Sequence, residues 1–201
     1  MKINFTAKHI WSMALLFALI FCGCATSPTP RLYLLRPELQ GPAVQAATNV
    51  PLVLMRPVEI AEYIDRPQIV IRRSKLEVAL SQFDRWAEPL DNQINLYITE
   101  TLADELKDCR VKAFPCHDQE TPLYEVELSI LSLDGTPGEK VSLTADWKIR
   151  VTGKEPRILK DERISIQATC PEPGIPGVVS ATEKLLSDLS DTIATALKEC
   201  L

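Results

Sequence analysis

Apolar and polar residues alternate almost without a break in the stretch KVSLTADWKIRVTG, residues 140–153. The same period of two runs through LYEVELSILSLDG, residues 123–135, and RILKDERISIQATC, residues 157–170. This period places successive side chains on opposite faces of a β-strand. Clean alternation indicates a sheet with one covered face and one face in water, which is typical of antiparallel sheets. We therefore predict an antiparallel meander over residues 123–170.

Two other segments have the spacing of amphipathic helices. The first opens at Pro89, and the second runs from residue 178 to residue 199. Their apolar positions are Leu90, Ile94, Tyr97, Ile98, Leu102 and Leu106 in the first, and Leu185, Leu189, Ile193 and Ala196 in the second. Shorter strands are predicted at residues 31–37, 50–61 and 109–115, with a hairpin at residues 67–80. The predicted fold class is α+β: a two-layer sandwich, mostly antiparallel sheet with two amphipathic helices on one face.

The N-terminus carries the features of an export signal. Lys2 and Lys8 precede an apolar run over residues 10–21, which is shorter than the roughly 20 residues that span a bilayer. Phe21, Cys22 and Gly23 then precede Cys24, an order that resembles a bacterial lipobox. We predict a lipoprotein signal peptide at residues 1–23 and acylation of Cys24. A cleaved soluble protein and an uncleaved anchor helix are the alternatives.

The remaining chain divides simply under this interpretation. Residues 24–30 form a lipidated tether, and residues 31–201 form a single α+β domain. Ala25 follows the acylated cysteine where an aspartate would indicate retention in the inner membrane. We therefore predict the periplasmic face of the outer membrane as the location.

Charge argues against nucleic acid as a partner. The chain has 22 basic and 27 acidic side chains, and loss of residues 1–23 removes two lysines. This leaves 20 basic and 27 acidic side chains, a net charge of −7. No basic cluster of the kind that neutralises phosphates stands out.

Four cysteines remain once Cys22 is lost with the signal peptide and Cys24 is acylated: Cys109, Cys116, Cys170 and Cys200. They invite disulfides in an oxidising compartment. The predicted strand separates Cys109 from Cys116, and the predicted last helix separates Cys170 from Cys200. If the strands run up and down in turn, Cys109 and Cys170 share one pole of the sheet. We predict the pairs Cys109–Cys170 and Cys116–Cys200, with free or partly paired thiols as the alternative.

Catalytic chemistry has little support. His117 is the one histidine beyond the signal peptide, so a serine nucleophile lacks an evident base. Cys109, Cys116 and His117 lack the close Cys-x-x-Cys pair that makes zinc motifs specific. The seven glycines form no phosphate-binding loop. We predict no enzyme activity, no metal and no cofactor.

The stretches EYIDRPQIVIR and QFDRWAEPL are the most distinctive part of the sequence. One interpretation is structural: Trp86 fills the corner between hairpin and helix, while Arg85 pairs with Asp84 or Glu88. The other is functional: an exposed aromatic–arginine patch that binds a partner, since Trp and Arg are enriched at interface hot spots. Arg66, Pro67 and Gln68 are expected at the same end of the fold.

A lipobox, a YLL strand, RPQIV and RWAEPL, in this order, resemble the PqiC/YmbA family. These proteins are ABC-type transport auxiliary lipoproteins of MCE-type lipid transport systems. The resemblance runs from Cys24 to the last helix and implies a non-enzymatic subunit that docks the periplasmic assembly at the outer membrane. It implies an MCE-domain protein as partner, and the matching residues are candidates for partner binding: Arg66, Pro67, Gln68, Arg85, Trp86, Glu88 and Pro89.

Three questions stay open at the level of the sequence. A periplasm-facing carrier lipoprotein that binds phospholipid is the main alternative function, and it needs a cavity between sheet and helices. An envelope enzyme is a third possibility. The oligomeric state, including a homo-oligomer, is not fixed by any pattern in the chain.

Overall fold

The computed structural model describes residues 28–38, 50–116 and 121–201. The predicted signal peptide, Cys24 and His117 lie outside these residues. The elements in chain order are β1 (Arg31–Tyr33), β2 (Leu52–Met55), β3 (Glu59–Ile60), β4 (Gln68–Arg72), β5 (Val78–Trp86), α1 (Leu90–Glu105), β6 (Arg110–Ala113), β7 (Tyr124–Gly135), β8 (Lys140–Val151), β9 (Arg157–Thr169) and α2 (Gly174–Lys198). This is the predicted α+β fold.

The large sheet has the strand order β6-β2-β7-β8-β9, and β3 also pairs with β7. β7, β8 and β9 form the predicted antiparallel meander. The other three strands depart from the expectation of a mostly antiparallel sheet, because β6 pairs with β2 in parallel and β2 and β3 both run parallel to β7. The predicted extended segment at residues 50–61 is divided into β2 and β3 at Arg56 and Pro57.

Both helices cover the same face of the large sheet, where the inward positions of β7 and β8 lie. α1 follows Pro89 and has Asp91 in its first turn, where the helix dipole favours a negative charge. α2 begins at Gly174, four residues before the predicted start. Pro176 is compatible with this start because N–H groups of a first turn have no partner inside the helix.

A second, small sheet has the strand order β1-β5-β4. β4 and β5 form the predicted antiparallel hairpin, with an irregular register between Gln68 and Val70. β1 pairs with β5 in parallel, so that Arg31 lies opposite Asp84 and Tyr33 opposite Trp86. The first strand after the predicted tether is therefore part of the small sheet and not of the large one.

The core of the described residues lies between the large sheet and the helices. Its first buried member is Leu35, and its most enclosed side chains include Ile94, Leu143, Trp147 and Leu185. The whole described core therefore lies from β1 onward. Among the described helices, none combines the length and the apolar character that a bilayer crossing requires.

Candidate partner-docking site

The two sequence motifs meet in space. Gln68 lies opposite Arg85 across the β4–β5 pair. The backbone N–H of Trp86 donates to the carbonyl of Pro67 at 2.7 Å, which joins the motifs directly. We call residues 66–68 together with residues 85–89 the motif corner. Its position at one end of the fold agrees with the sequence analysis.

The side chains of the motif corner differ in exposure. Pro67, Glu88 and Pro89 are exposed, whereas Arg66, Gln68 and Arg85 are partly buried. The carbonyl of Glu88 accepts a hydrogen bond from Nε2 of Gln93 at 2.8 Å, and this contact fixes the approach to α1. The corner therefore presents a proline–carboxylate rim on a rigid support.

Trp86 does not belong to the exposed rim. It is 7% exposed and borders a cavity of about 10 Å³ together with Ile64, Leu90, Leu133 and Val178. An exposed patch centred on Trp86 was one of the two interpretations from sequence, and this burial contradicts it. Trp86 is the side chain that fills the corner between the hairpin, β7 and the two helices.

The two arginines have unsatisfied donors. Nε of Arg66 and Nε of Arg85 are both shielded from solvent and lack a hydrogen-bond partner among the described residues. The expected pairing of Arg85 with Asp84 is absent, because Asp84 pairs with Arg31 instead. Shielded polar groups without partners are rare in folded proteins.

Asp84 is a buried carboxylate that fixes β1 to β5. It is 4% exposed and accepts hydrogen bonds from Nε of Arg31 at 2.7 Å, Oγ of Ser81 at 2.6 Å and the hydroxyl of Tyr33 at 3.1 Å. Burial acts to raise the pKa of Asp84, but the hydrogen bonds from Ser81, Arg31 and Tyr33 outweigh it and hold the pKa below its ordinary value. The carboxylate stays ionised next to Trp86.

Asp134 is the second buried carboxylate and ties the small sheet to β7. It is also 4% exposed, and its carboxylate accepts hydrogen bonds from Nη2 of Arg72 at 2.8 Å and from the hydroxyl of Tyr63 at 2.6 Å. Burial raises the pKa of Tyr63, and the hydrogen bond to Asp134 raises it further. Tyr63 also accepts from the N–H of Leu133 at 3.2 Å. The loop that leads to the motif corner is thereby fixed to the end of β7.

Sequence analysis missed both carboxylates as structural centres. Asp84 and Asp134 are charged residues in strands, and an alternating pattern assigns such residues to the solvent face. Their partners are 51 and 62 positions away in the chain for Tyr33 and Arg72 respectively. One signal in the sequence could have indicated the two centres. Arg31 and Tyr33 occur together in β1, and Tyr63 and Arg72 flank the first motif, so each carboxylate has an arginine and a tyrosine as possible donors.

The four described cysteines are free thiols, so the predicted pairs Cys109–Cys170 and Cys116–Cys200 are absent from the structure. The reason is strand direction. β6 runs parallel to β7, which places Cys109 at the level where β7 begins, whereas Cys170 lies beside Glu139 at the hairpin where β7 ends. These levels are roughly 35 Å apart at the rise of a β-strand, and a disulfide joins Cα atoms less than about 7 Å apart.

The described part of the chain holds no cluster of histidine, cysteine, aspartate or glutamate arranged to bind a metal. The cysteines that the sequence analysis weighed as metal ligands differ in their surroundings. The thiol of Cys109 is buried, which raises its pKa. Cys116 is partly exposed.

A family model matches most of the chain. The model of the ABC-type transport auxiliary lipoprotein component family matches residues 33–194, a span that contains both motifs. The chain belongs to this family. The resemblance found in the sequence is confirmed. No curated protein matches the chain.

Two solved structures share the fold. A protein described as uncharacterized is 16% identical, with a TM-score of 0.70, and the match covers 85% of this chain and 99% of that chain. Protein XCC0632 from Xanthomonas campestris, of family DUF330, is 15% identical, with a TM-score of 0.61 and coverage of 85% and 93%. At these identities the likeness concerns the fold alone, including the helix pair over a mixed sheet.

Proposed function

We propose that this transport auxiliary lipoprotein is a non-enzymatic subunit of an MCE/ABC-type lipid transport system. It docks the periplasmic assembly at the outer membrane and contacts an MCE-domain protein. The observation that carries the proposal is the junction of the two motifs at one rigid corner, inside the span that the family model matches. Family membership supports a part in ABC-type transport.

The anchor is the acylated sulfur of Cys24. Each buried methylene of an acyl chain contributes about 0.8 kcal/mol, so several chains on one cysteine hold a protein firmly at a membrane. Seven tether residues, 24–30, keep the domain within roughly 25 Å of the bilayer. Ala25 favours the outer membrane. Mass measurement of the mature N-terminus and density separation of the two membranes test these two statements separately.

The docking surface is the motif corner without Trp86. Arg66 and Arg85 supply donors, and Pro67, Gln68, Glu88 and Pro89 supply the surrounding rim. Arg66 and Arg85 are partly exposed as whole side chains, and hydrogen bonds from a guanidinium group to a partner carboxylate or carbonyl are charge-assisted. We therefore assign partner recognition to the arginines and the rim, and stability to Trp86.

A carrier that holds phospholipid is the weaker alternative. The cavity beside Trp86, between the sheet and the helices, has a volume of about 10 Å³ and is too small for an acyl chain, whereas the larger hollows of about 380 to 480 Å³ are grooves open to solvent. Typical ligand pockets hold roughly 300–1,000 Å³. Native mass spectrometry of the domain tests this alternative, since a carrier retains phospholipid at a fixed stoichiometry and a docking subunit does not.

Capture of the MCE-domain protein tests the docking role. The full-length lipoprotein is purified in mild detergent at native expression, and the double variant Arg66→Gln and Arg85→Gln is compared with Arg157→Gln. Arg157 is an exposed arginine at the start of β9, next to the beginning of β7 and away from the motif corner. We expect the double variant to lose capture several-fold, since truncation of a hot-spot arginine typically costs more than about 1 kcal/mol.

Two results would contradict the proposal. Recovery of the wild-type lipoprotein alone, without any MCE-domain protein, would remove the docking role. Equal capture by the double variant and by Arg157→Gln would remove the motif corner as the docking surface. Thermal unfolding of each variant, expected to match the wild type, excludes loss of fold as the cause.

A further inference from the structure

The tip of the β4–β5 hairpin exposes apolar side chains. Leu76 is 94% exposed, and Val78 and Leu80 are 41% and 46% exposed. We call residues 73–77 the hairpin tip. The tip is closed by N–H groups of Arg73 and Ser74, which donate to the carbonyl of Glu77 at 3.0 Å and 3.2 Å. Leu76, Val78 and Leu80 lie within five residues of one another in the hairpin, and exposed apolar side chains that cluster in this way can mark a protein or membrane contact.

The hairpin tip has a net positive charge, whereas the whole chain has a net negative charge. The whole chain carries a formal net charge of −5, yet Arg73 and Lys75 precede Leu76. Glu77 is the one acidic residue of the tip, and its Oε1 lies 3.8 Å from Nη1 of Arg73. Both side chains are exposed. The tip therefore retains one net positive charge beside its exposed leucine. Positive charge beside an exposed apolar side chain is complementary to an anionic membrane surface, where the apolar group enters the interface and the charge faces the headgroups.

Strand direction places the tether on the same side as the hairpin tip. β1 is parallel to β5 with Arg31 opposite Asp84, so residues 28–30 leave β1 in the direction of the start of β5. Leu76 is eight residues before Asp84, which corresponds to about 26 Å along a strand. Cys24 is seven residues before Arg31, and an extended chain of that length reaches about 24 Å. The anchor and the hairpin tip can therefore reach one plane together.

We propose that the hairpin tip is a second membrane contact, in which Leu76 inserts among the headgroups of the phospholipid bilayer that holds the anchor. Lys75 and Arg73 face the anionic headgroups, and Val78 and Leu80 follow at the level of the interface. One leucine and one net charge are too little to recruit a free protein. A tether that already confines the domain to the surface raises the local concentration enough for such a contact to form.

The contact goes beyond docking of the transport assembly, because it sets how the domain stands on the membrane. α1 follows the end of β5, opposite the hairpin tip. With the tip in the headgroups, the motif corner at the end of β5 is held away from the bilayer. The docking surface then faces the periplasm.

Backbone hydrogen exchange of residues 73–78 tests the contact. The domain is attached to vesicles of phosphatidylethanolamine and phosphatidylglycerol through an N-terminal hexahistidine tag in place of residues 1–24 and a nickel-chelating lipid. This attachment gives the same test whether or not Cys24 is acylated. We expect slower exchange of residues 73–78 on the vesicles than in the detached protein.

Two variants sharpen the measurement. Leu76→Asp is expected to lose the slowing, whereas the control Leu96→Asp is expected to keep it, because Leu96 is 52% exposed but lies on α1. Replacing both Arg73 and Lys75 by Gln should reduce the slowing in vesicles that contain phosphatidylglycerol. Equal exchange rates on and off the vesicles, or full slowing in Leu76→Asp, would overturn the proposal.

Failure of this proposal and failure of the docking role are distinguishable. The exchange experiment contains no MCE-domain protein, and the capture experiment is done in detergent without a bilayer. A hairpin tip that exchanges freely leaves capture intact, and a lost capture leaves the vesicle contact intact.

Discussion

The inner face of the large sheet is lined by Leu143, Ala145 and Trp147, none of which is more than 1% exposed, whereas the small sheet depends on two buried carboxylates. Asp84 joins β1 to β5 and Asp134 joins β4 to β7, each through an arginine and a tyrosine. The large sheet is covered by helices. The small sheet ends in a hairpin whose leucines meet water.

The difference separates two kinds of stability. The free energy gained by apolar burial is non-directional, and it depends on the exclusion of water from the core. A buried carboxylate with several donors fixes geometry, and its removal leaves the donors unsatisfied. We infer that the large sheet supplies most of the stability of the domain, while the small sheet supplies a defined surface for recognition.

The largest expected effect comes from the two buried tryptophans. Trp147→Ala should lower the free energy of unfolding by about 3–5 kcal/mol, as is usual for a large core residue. Trp86→Ala should cost about 3 kcal/mol for the same reason. Urea unfolding measures both. A Trp86→Ala protein of wild-type stability that fails to capture its partner would restore the exposed-patch interpretation.

Removal of Asp134 should come next. Asp134→Ala leaves Arg72 and Tyr63 without their acceptor and should cost about 3 kcal/mol, the order found when one partner of a buried pair is removed. Tyr63→Phe removes one hydroxyl and should cost about 1 kcal/mol. Chemical unfolding gives both values. Equal effects of the two variants would mean that the charge of Asp134 contributes nothing beyond one hydrogen bond.

Replacement of Asp84 should lower the free energy of unfolding by a smaller amount, and that amount should depend on pH. The pKa of Asp84 is lower in the folded protein, so its contribution to stability is complete above about pH 4 and is lost as the pH falls through the folded-state pKa. Asp84→Asn should cost about 1–2 kcal/mol at pH 7, because Arg31 remains largely solvated. The stabilities of variant and wild type should converge below pH 4. A constant difference at all pH values would exclude the ionised carboxylate as the cause.

The smallest expected effect on stability comes from Glu105, which lies between the two helices. Burial and a hydrogen bond with Asp191 raise the pKa of Glu105 on α1 to about 7, although Lys198 lies 3.8 Å away and lowers it. The folded protein therefore binds this proton more tightly than the unfolded chain, and stability falls as the pH rises from about 4.5 to 7.

Glu105→Gln replaces the titrating carboxyl group by an amide that does not titrate. The variant should gain on the order of 1 kcal/mol over the wild type at pH 8, after allowance for solvent screening, and little at pH 5. Glu100→Gln on the same helix is the matched control. Thermal unfolding across this range measures the effect, and a pH-independent difference would argue against a shared proton.

Period and spacing in the sequence predicted the elements well but not their directions. The alternation in residues 123–170 identified β7, β8 and β9, and the spacing after Pro89 identified α1. Periodicity is the same for a parallel and an antiparallel strand, so it contained no information on β6. The assumption that strands alternate in direction then misplaced Cys109 relative to Cys170.

The site could be predicted only in part for a similar reason. The two motifs were expected at the same end of the fold, and β4 and β5 do bring them together. The burial of Trp86 depends on Leu133 and Val178, which are distant in the chain. Whether an aromatic side chain near a proline lies inside or outside is decided by such distant contacts, which no local pattern describes.

The parallel pairing of β1 with β5 has a mechanical consequence. Under the proposed function, the subunit is held by its first residues and bound to a large assembly at its other end, so that tension acts along the chain. Because β1 lies alongside β5, that tension acts along the strands and loads their cross-links all at once, rather than peeling them one by one. The three-residue strand, with Arg31 and Tyr33 bound to Asp84, is therefore a shear joint that resists being pulled out.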